Sequence, residues 1–192
     1  MPQAGTKRCE SQLMTNGNAA TLAQLTELVA PPERPLRTAD AGNWQKLTDT
    51  IDFPFADSFL DYGRTYGTGE IEAAGYAVQI GNPLDPKFPK WVLEQSGIMR
   101  TRGDGPDLRK TRFYPEANGV LPFASNLSGD LVFFTQEGTI VSCPTDPSIL
   151  IPYRCDLIGF LCALFSGKLS PEYFPNSEMC EDTPEFTKTA WM

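Results

Sequence analysis

The sequence contains no histidine. That removes the Ser-His-Asp and Cys-His arrangements, in which an imidazole takes the nucleophile's proton. A zinc site would have to be built from thiolates and carboxylates alone. Cysteine is sparse too: Cys9, Cys143, Cys155, Cys162 and Cys180 form an odd set with no C-x-x-C spacing. This argues against both a disulfide framework and a thiolate zinc knuckle. Cys155 and Cys162 border an apolar stretch, where a small thiol is ordinarily core material. Positive charge is in deficit, with 16 Lys and Arg against 24 Asp and Glu and a net charge of −8. Such a surface repels phosphate backbones and attracts basic proteins, so no nucleic-acid partner is expected. No apolar run approaches the ~18 residues of a membrane span. The opening residues MPQAGTKRCESQ lack the apolar centre of a signal peptide. The expectation is a cytoplasmic protein with reduced thiols and no membrane partner. No catalytic residue, metal ligand or cofactor is assigned.

What is present fits one α+β domain. The chain has 192 residues, 41% of them hydrophobic, with 16 Gly and 17 Pro, a turn-rich composition unlike that of a helical bundle. Residues 1–20 are small, polar and aperiodic, and are expected to be a disordered arm. Residues 21–29 read as a short helix capped by Thr21, with Leu22, Leu25 and Val29 as its stripe, and PPERP at 31–35 as a stiff linker. Trp44, Leu47 and Ile51 share one face of a helix over about 41–51. A third helix carries Pro54 in its first turn, buries Phe55, Phe59 and Tyr62, and stops at Gly63.

YGTGEI at 66–71 reads as a Gly-rich turn. It holds a G-x-G, but Glu72 stands where a dinucleotide loop needs its third glycine. Tyr76, Val78 and Ile80 alternate as a strand closed by Gly81-Asn82-Pro83. A helix runs from Lys90 to about Met99 around Trp91 and Ile98. Residues 100–112, with Arg100, Arg102, Arg109, Lys110 and Arg112, read as a polar loop. A meander follows: Val120–Ala124, Leu131–Thr135 and Thr139–Ser142, with Gly138 in the hairpin turn. The unbroken apolar run Leu131 to Phe134 calls for cover on both faces. Residues 156–166 are the clearest helix, with Leu157, Phe160, Leu161, Leu164 and Phe165 on one stripe, Asp156 as cap and Gly167 as stop. From Leu169 the chain is acidic and Pro-rich, with Phe174, Phe186 and Trp191 as candidate anchors. Asp57 and Asp61, four apart, read as a solvated helix face. Asp130 reads as ordering the loop before its strand, or alternatively as a polar contact at the mouth of a concave surface.

The order of these motifs resembles the SUKH superfamily, which includes the fungal Smi/Knr cell-wall regulators and many bacterial immunity proteins. The resemblance rests on Trp44 in a helix, Phe53-Pro54, FLDYGRTYGTGEI (59–71), a strand ending in GNP (81–83), YPEANGVLPFASNLSGDLVFF (114–134), TIVSC (139–143) and DLIGFLCALFSGKL (156–169). It covers roughly residues 40–175. Phe53 stands where an aliphatic residue is usual, Phe123 replaces a frequent Trp, and the strand after Gly138 lacks a Trp often seen beside it. The resemblance implies a mixed or antiparallel sheet flanked by N-terminal and C-terminal helices, a domain over 36–180 and an acidic tail over 181–192. It implies Trp44, Pro54, Gly67, Gly69, Gly119, Pro122, Gly129 and Phe134 as structural motif residues. It also implies a non-enzymatic protein that binds and neutralises a cognate toxin of nuclease or deaminase type; the net charge points to a basic toxin domain, and the oligomeric state, monomer or weak dimer, is not written in the sequence. A general interaction or regulatory module of the Smi/Knr type is the alternative, and an enzyme using carboxylates alone the third reading. The contact residues expected are Tyr66, Glu70, Trp91, Asn126 and Asp130, because loops beside strand ends are where binding residues concentrate.

Overall fold

In the computed structural model, residues 20–36, 41–73, 76–102, 107–144, 149–169 and 183–189 are described. The arm and the anchors Phe174 and Trp191 lie outside them, apart from Ala20. The helices are α1 (Leu22–Leu28), α2 (Ala41–Thr50), α3 (Asp57–Tyr66), α4 (Phe88–Arg102) and α5 (Leu157–Phe165). The strands are β1 (Gly69–Ala73), β2 (Tyr76–Ile80), β3 (Leu121–Asn126), β4 (Leu131–Phe134), β5 (Ile140–Cys143), β6 (Ile151–Tyr153) and β7 (Glu185–Thr187). They form one seven-stranded antiparallel sheet in the order β6-β5-β4-β3-β2-β1-β7. The protein is therefore α+β. Among the described residues no helix is long and apolar enough to cross a membrane.

The strongest local signals set the helix starts. Thr21 closes a capping box with Gln24 at the head of α1, accepting from its N–H at 3.3 Å. Asp156 caps α5 by accepting from the N–H of Gly159 at 2.9 Å. One sheet face is covered by α1, α2, α3, α5 and the start of α4. Its core joins Leu25, Leu47, Phe59, Tyr62, Ile71, Val78, Phe123, Val132, Phe134, Phe160 and Leu161. On the other face Met99 of α4 and Leu108 cover Leu131, Phe133 and Cys143. β4 is thus buried on both faces, as its apolar run requires. A register shift between Pro122 and Ala124 lets consecutive Phe123 and Ala124 join the same core.

Several boundaries differ from the sequence expectation. Pro54 lies before α3 rather than in it, and the helix runs past Gly63 to a cap at Gly67. Gly67 has φ 73°, a left-handed conformation, and its N–H donates to the Gly63 carbonyl at 3.0 Å. Gly63 instead lets Asn82 and Pro83 approach the helix: a Cβ there would lie 2.8 Å from Asn82 Oδ1. The YGTGEI segment is not merely a turn, because Gly69 to Ala73 form β1. Gly69 is required there by the closeness of Phe186 and the Thr187 carbonyl of β7. Helix α4 starts earlier and ends later than expected, absorbing Arg100 and Arg102. Leu108–Lys110 add a short 3₁₀ turn, so residues 100–112 are partly helical. β6 and β7 were not expected; β7 lies within the stretch assigned to an acidic tail, and Phe186 packs on the main core.

The resemblance's motif residues fall at joints of this structure. Trp44 sits on α2, half-buried, its ring 5.8 Å from that of Phe55. Gly119 precedes the bridge of Val120 to Phe113, Pro122 lies at the irregularity in β3, and Gly129 takes φ 83° in the β3–β4 turn. Phe134 stacks on Phe123 with centroids 4.0 Å apart.

Candidate interaction surface

The alternation of β1 places Ile71 and Ala73 in the core and turns Glu70 and Glu72 to the other face. β2 and β7 repeat the pattern: Val78, Ile80 and Phe186 point inward, while Gln79, Glu185 and Thr187 share the outer face. Register then aligns a row across the sheet, Thr187, Glu70, Gln79, Ser125 and Leu131. A neighbouring row sets Glu185 directly opposite Glu72.

At Ser125 and Leu131 this face meets α4. The junction is a groove of about 450 Å³ lined by Gln95, Ile98, Thr101 and Arg102 from the helix and Ser125, Asn126, Gly129 and Leu131 from the strands. Trp91, Gln95, Ile98 and Arg102 fall at i, i+4, i+7 and i+11, one stripe of α4. The β3–β4 turn forms the lip. Asn126 Nδ2 donates to Asp130 Oδ2 at 2.6 Å, and the Asp130 N–H donates to Asn126 Oδ1 at 2.9 Å. These reciprocal bonds hold the turn that projects Leu127, 86% exposed.

Of the five expected contact residues, Glu70, Asn126 and Asp130 lie on or beside this face, whereas Trp91, at the head of the helix stripe, stacks on Phe88 at 6.0 Å and packs against the main core instead of lining the groove. Tyr66 does not belong to it. It is 0% exposed on the opposite side of β1, stacked on Tyr62 at 4.9 Å, and its hydroxyl donates to the Val29 carbonyl at 2.8 Å. Burial pushes both phenols above the ordinary tyrosine range. Tyr66 therefore ties α1 to α3 and presents no exposed surface in this fold. Tyr66→Phe should cost about 1–2 kcal/mol by orphaning that carbonyl. Among the described residues the buried Tyr62 hydroxyl has no hydrogen-bond partner, so Tyr62→Phe should leave stability unchanged or raise it. Thermal melts of the two variants check the contrast.

Sequence reasoning missed Glu72, Glu185, Gln95, Ile98 and Leu127. The alternation Glu70-Ile71-Glu72-Ala73 was a usable strand signal that the flanking glycines obscured. The thiol of Cys143, under the groove, is pushed up to about 11 by burial; Arg102 opposes this while Asp130 and Asp107 add to it. A larger groove of about 710 Å³ runs between α2 and the start of α4, past Leu47, Pro83, Asp85, Pro89 and Leu93. None of the expected contact residues lines it. Among the described residues no group of three or more Cys, Asp or Glu is arranged to hold a metal ion. No family model, curated protein or solved structure matches the chain.

Proposed function

We propose that the chain is a non-enzymatic protein-binding domain of the SUKH type, an immunity protein that acts in the cytoplasm by binding and neutralising a basic toxin domain. The observation that carries this reading is the open acidic sheet face. Glu70, Glu72 and Glu185 stand together on one antiparallel strand pair beside a groove, rather than scattered over loops. Such a platform attracts a cationic protein and speeds its association. The resemblance in motif order supports the same reading: Gly67 caps α3, Gly69 opens β1, Gly129 turns the β3–β4 hairpin and Phe134 closes β4.

The test is co-expression with the toxin domain encoded beside it. Protection of the cells and co-purification of the two proteins are the expected results. Absence of both would overturn the reading.

A further inference from the structure

We infer that the partner docks on the outer face of β7-β1-β2 and the adjoining α4 groove, and that it presents arginine side chains flanked by an aliphatic one. The inference rests on the protein-binding reading above and adds the surface and its chemistry. Three observations carry it. First, Glu72 and Glu185 are exposed and directly opposed across β1 and β7, with Glu70 two residues along the same face. Like charges set opposite each other destabilise the free sheet, and a bound cation removes that repulsion. Second, among the described residues this face is bounded by α4 on one side only. The helix covers Leu131 and Phe133 and leaves Glu70, Glu72, Glu185 and Thr187 partly or fully exposed. Third, among the described residues Ile98 is 50% exposed on the groove wall, and Leu127 is 86% exposed in the turn between the lining residues Asn126 and Gly129. Two exposed aliphatic side chains, one on the groove wall and one on the adjoining turn, offer a partner more apolar surface than a single exposed leucine does.

The occupant follows from these chemistries. Guanidinium groups match carboxylates in planar, forked geometry better than ammonium groups do. An aliphatic side chain between them would lie against Ile98 and Leu127. The groove's own cation, Arg102, stands beside β3 and β4, whereas the carboxylates stand on β1 and β7, so the guanidinium groups belong at the β1–β7 end of the surface.

A short peptide of alternating arginine and leucine, titrated into the labelled full-length protein and followed by amide chemical shifts, tests this. The shifts should centre on β1, β2, β7, the Ile98 stripe of α4 and residues 126–129. The combined variant Glu70→Gln, Glu72→Gln, Glu185→Gln should lose on the order of tenfold in affinity, and it should melt no lower than the parent because a repulsion is gone. Leu127→Ser, at a fully solvated position, provides a second loss of affinity that cannot be blamed on folding. A glutamate–leucine peptide should leave the spectrum unchanged. Loss of less than about twofold in both variants, or shifts centred on Asp49, Asp57 and Asp61, overturns the inference. If the combined variant still protects cells from the adjacent toxin as well as the parent does, the surface is wrong and the immunity reading stands. If the peptide maps here but no toxin is bound, the surface stands and the immunity reading falls.

Discussion

Phe59→Ala is expected to lower stability by about 3–5 kcal/mol. Phe59 is the hub of the aromatic core: its ring centroid lies 5.6 Å from Phe55, 5.5 Å from Phe88, 6.2 Å from Phe123 and 5.1 Å from Phe134. Those partners come from the α2–α3 connection, the start of α4, β3 and β4, so one deletion opens a cavity under four segments. A loss of that size is a large share of the ~5–15 kcal/mol that holds a domain of ordinary stability together. Urea unfolding checks it through the midpoint at an unchanged slope. Phe59→Leu retains most of the volume and should cost less than about half as much. A loss below about 1 kcal/mol for the alanine variant would show that the cluster repacks around the gap.

Asn82→Ala should cost about 3 kcal/mol, although no apolar contact is the main loss. Its side chain accepts from the Leu84 N–H at 2.9 Å and donates to Thr68 Oγ1 at 3.2 Å and the Leu36 carbonyl at 3.4 Å. Thr68 in turn donates to Asp85 Oδ2 at 3.0 Å, and Asp85 Oδ1 accepts from the Lys87 N–H at 2.9 Å. Thr68, Asn82 and Asp85 are all buried, so removing the amide strands several groups away from water. The network joins the residue before β1, the end of β2 and the head of α4. A double-mutant cycle with Thr68→Val, read by thermal melting, should show coupling of at least about 0.5 kcal/mol. Strict additivity would mean that the two side chains act separately.

These two sites mark what the sequence discloses. The face of α3 that holds Phe59 is legible from spacing, as are α5 with its Asp156 cap and the β4–β5 hairpin, because each is dictated by neighbours in the chain. Asn82 reads only as the end of a strand; its role depends on Thr68 and Asp85 arriving from other elements. The same limit explains Gly63, a plausible helix stop by local chemistry that is overruled by the approach of Asn82 and Pro83. It explains Tyr66, which looks like a loop residue until α1 is packed beside it. β6 carries Pro152, a strand-breaking signal that an edge position tolerates. For the candidate surface, Glu70, Asn126 and Asp130 are legible from their place beside strand ends. Glu185 could not be, because nothing local pairs it with Glu72.

β7 differs from the other strands in where it comes from. Every other pairing in the sheet joins strands consecutive in the chain, whereas β7 meets β1 from more than a hundred residues away. Closing so wide a loop carries the largest entropic penalty of any pairing in the sheet, and such contacts are gained late in folding and lost early in local opening. Until β7 docks, β1 is an edge and Glu185 is not opposite Glu72. The acidic face therefore joins two distant stretches of the chain, and it is whole only while β7 is docked on β1.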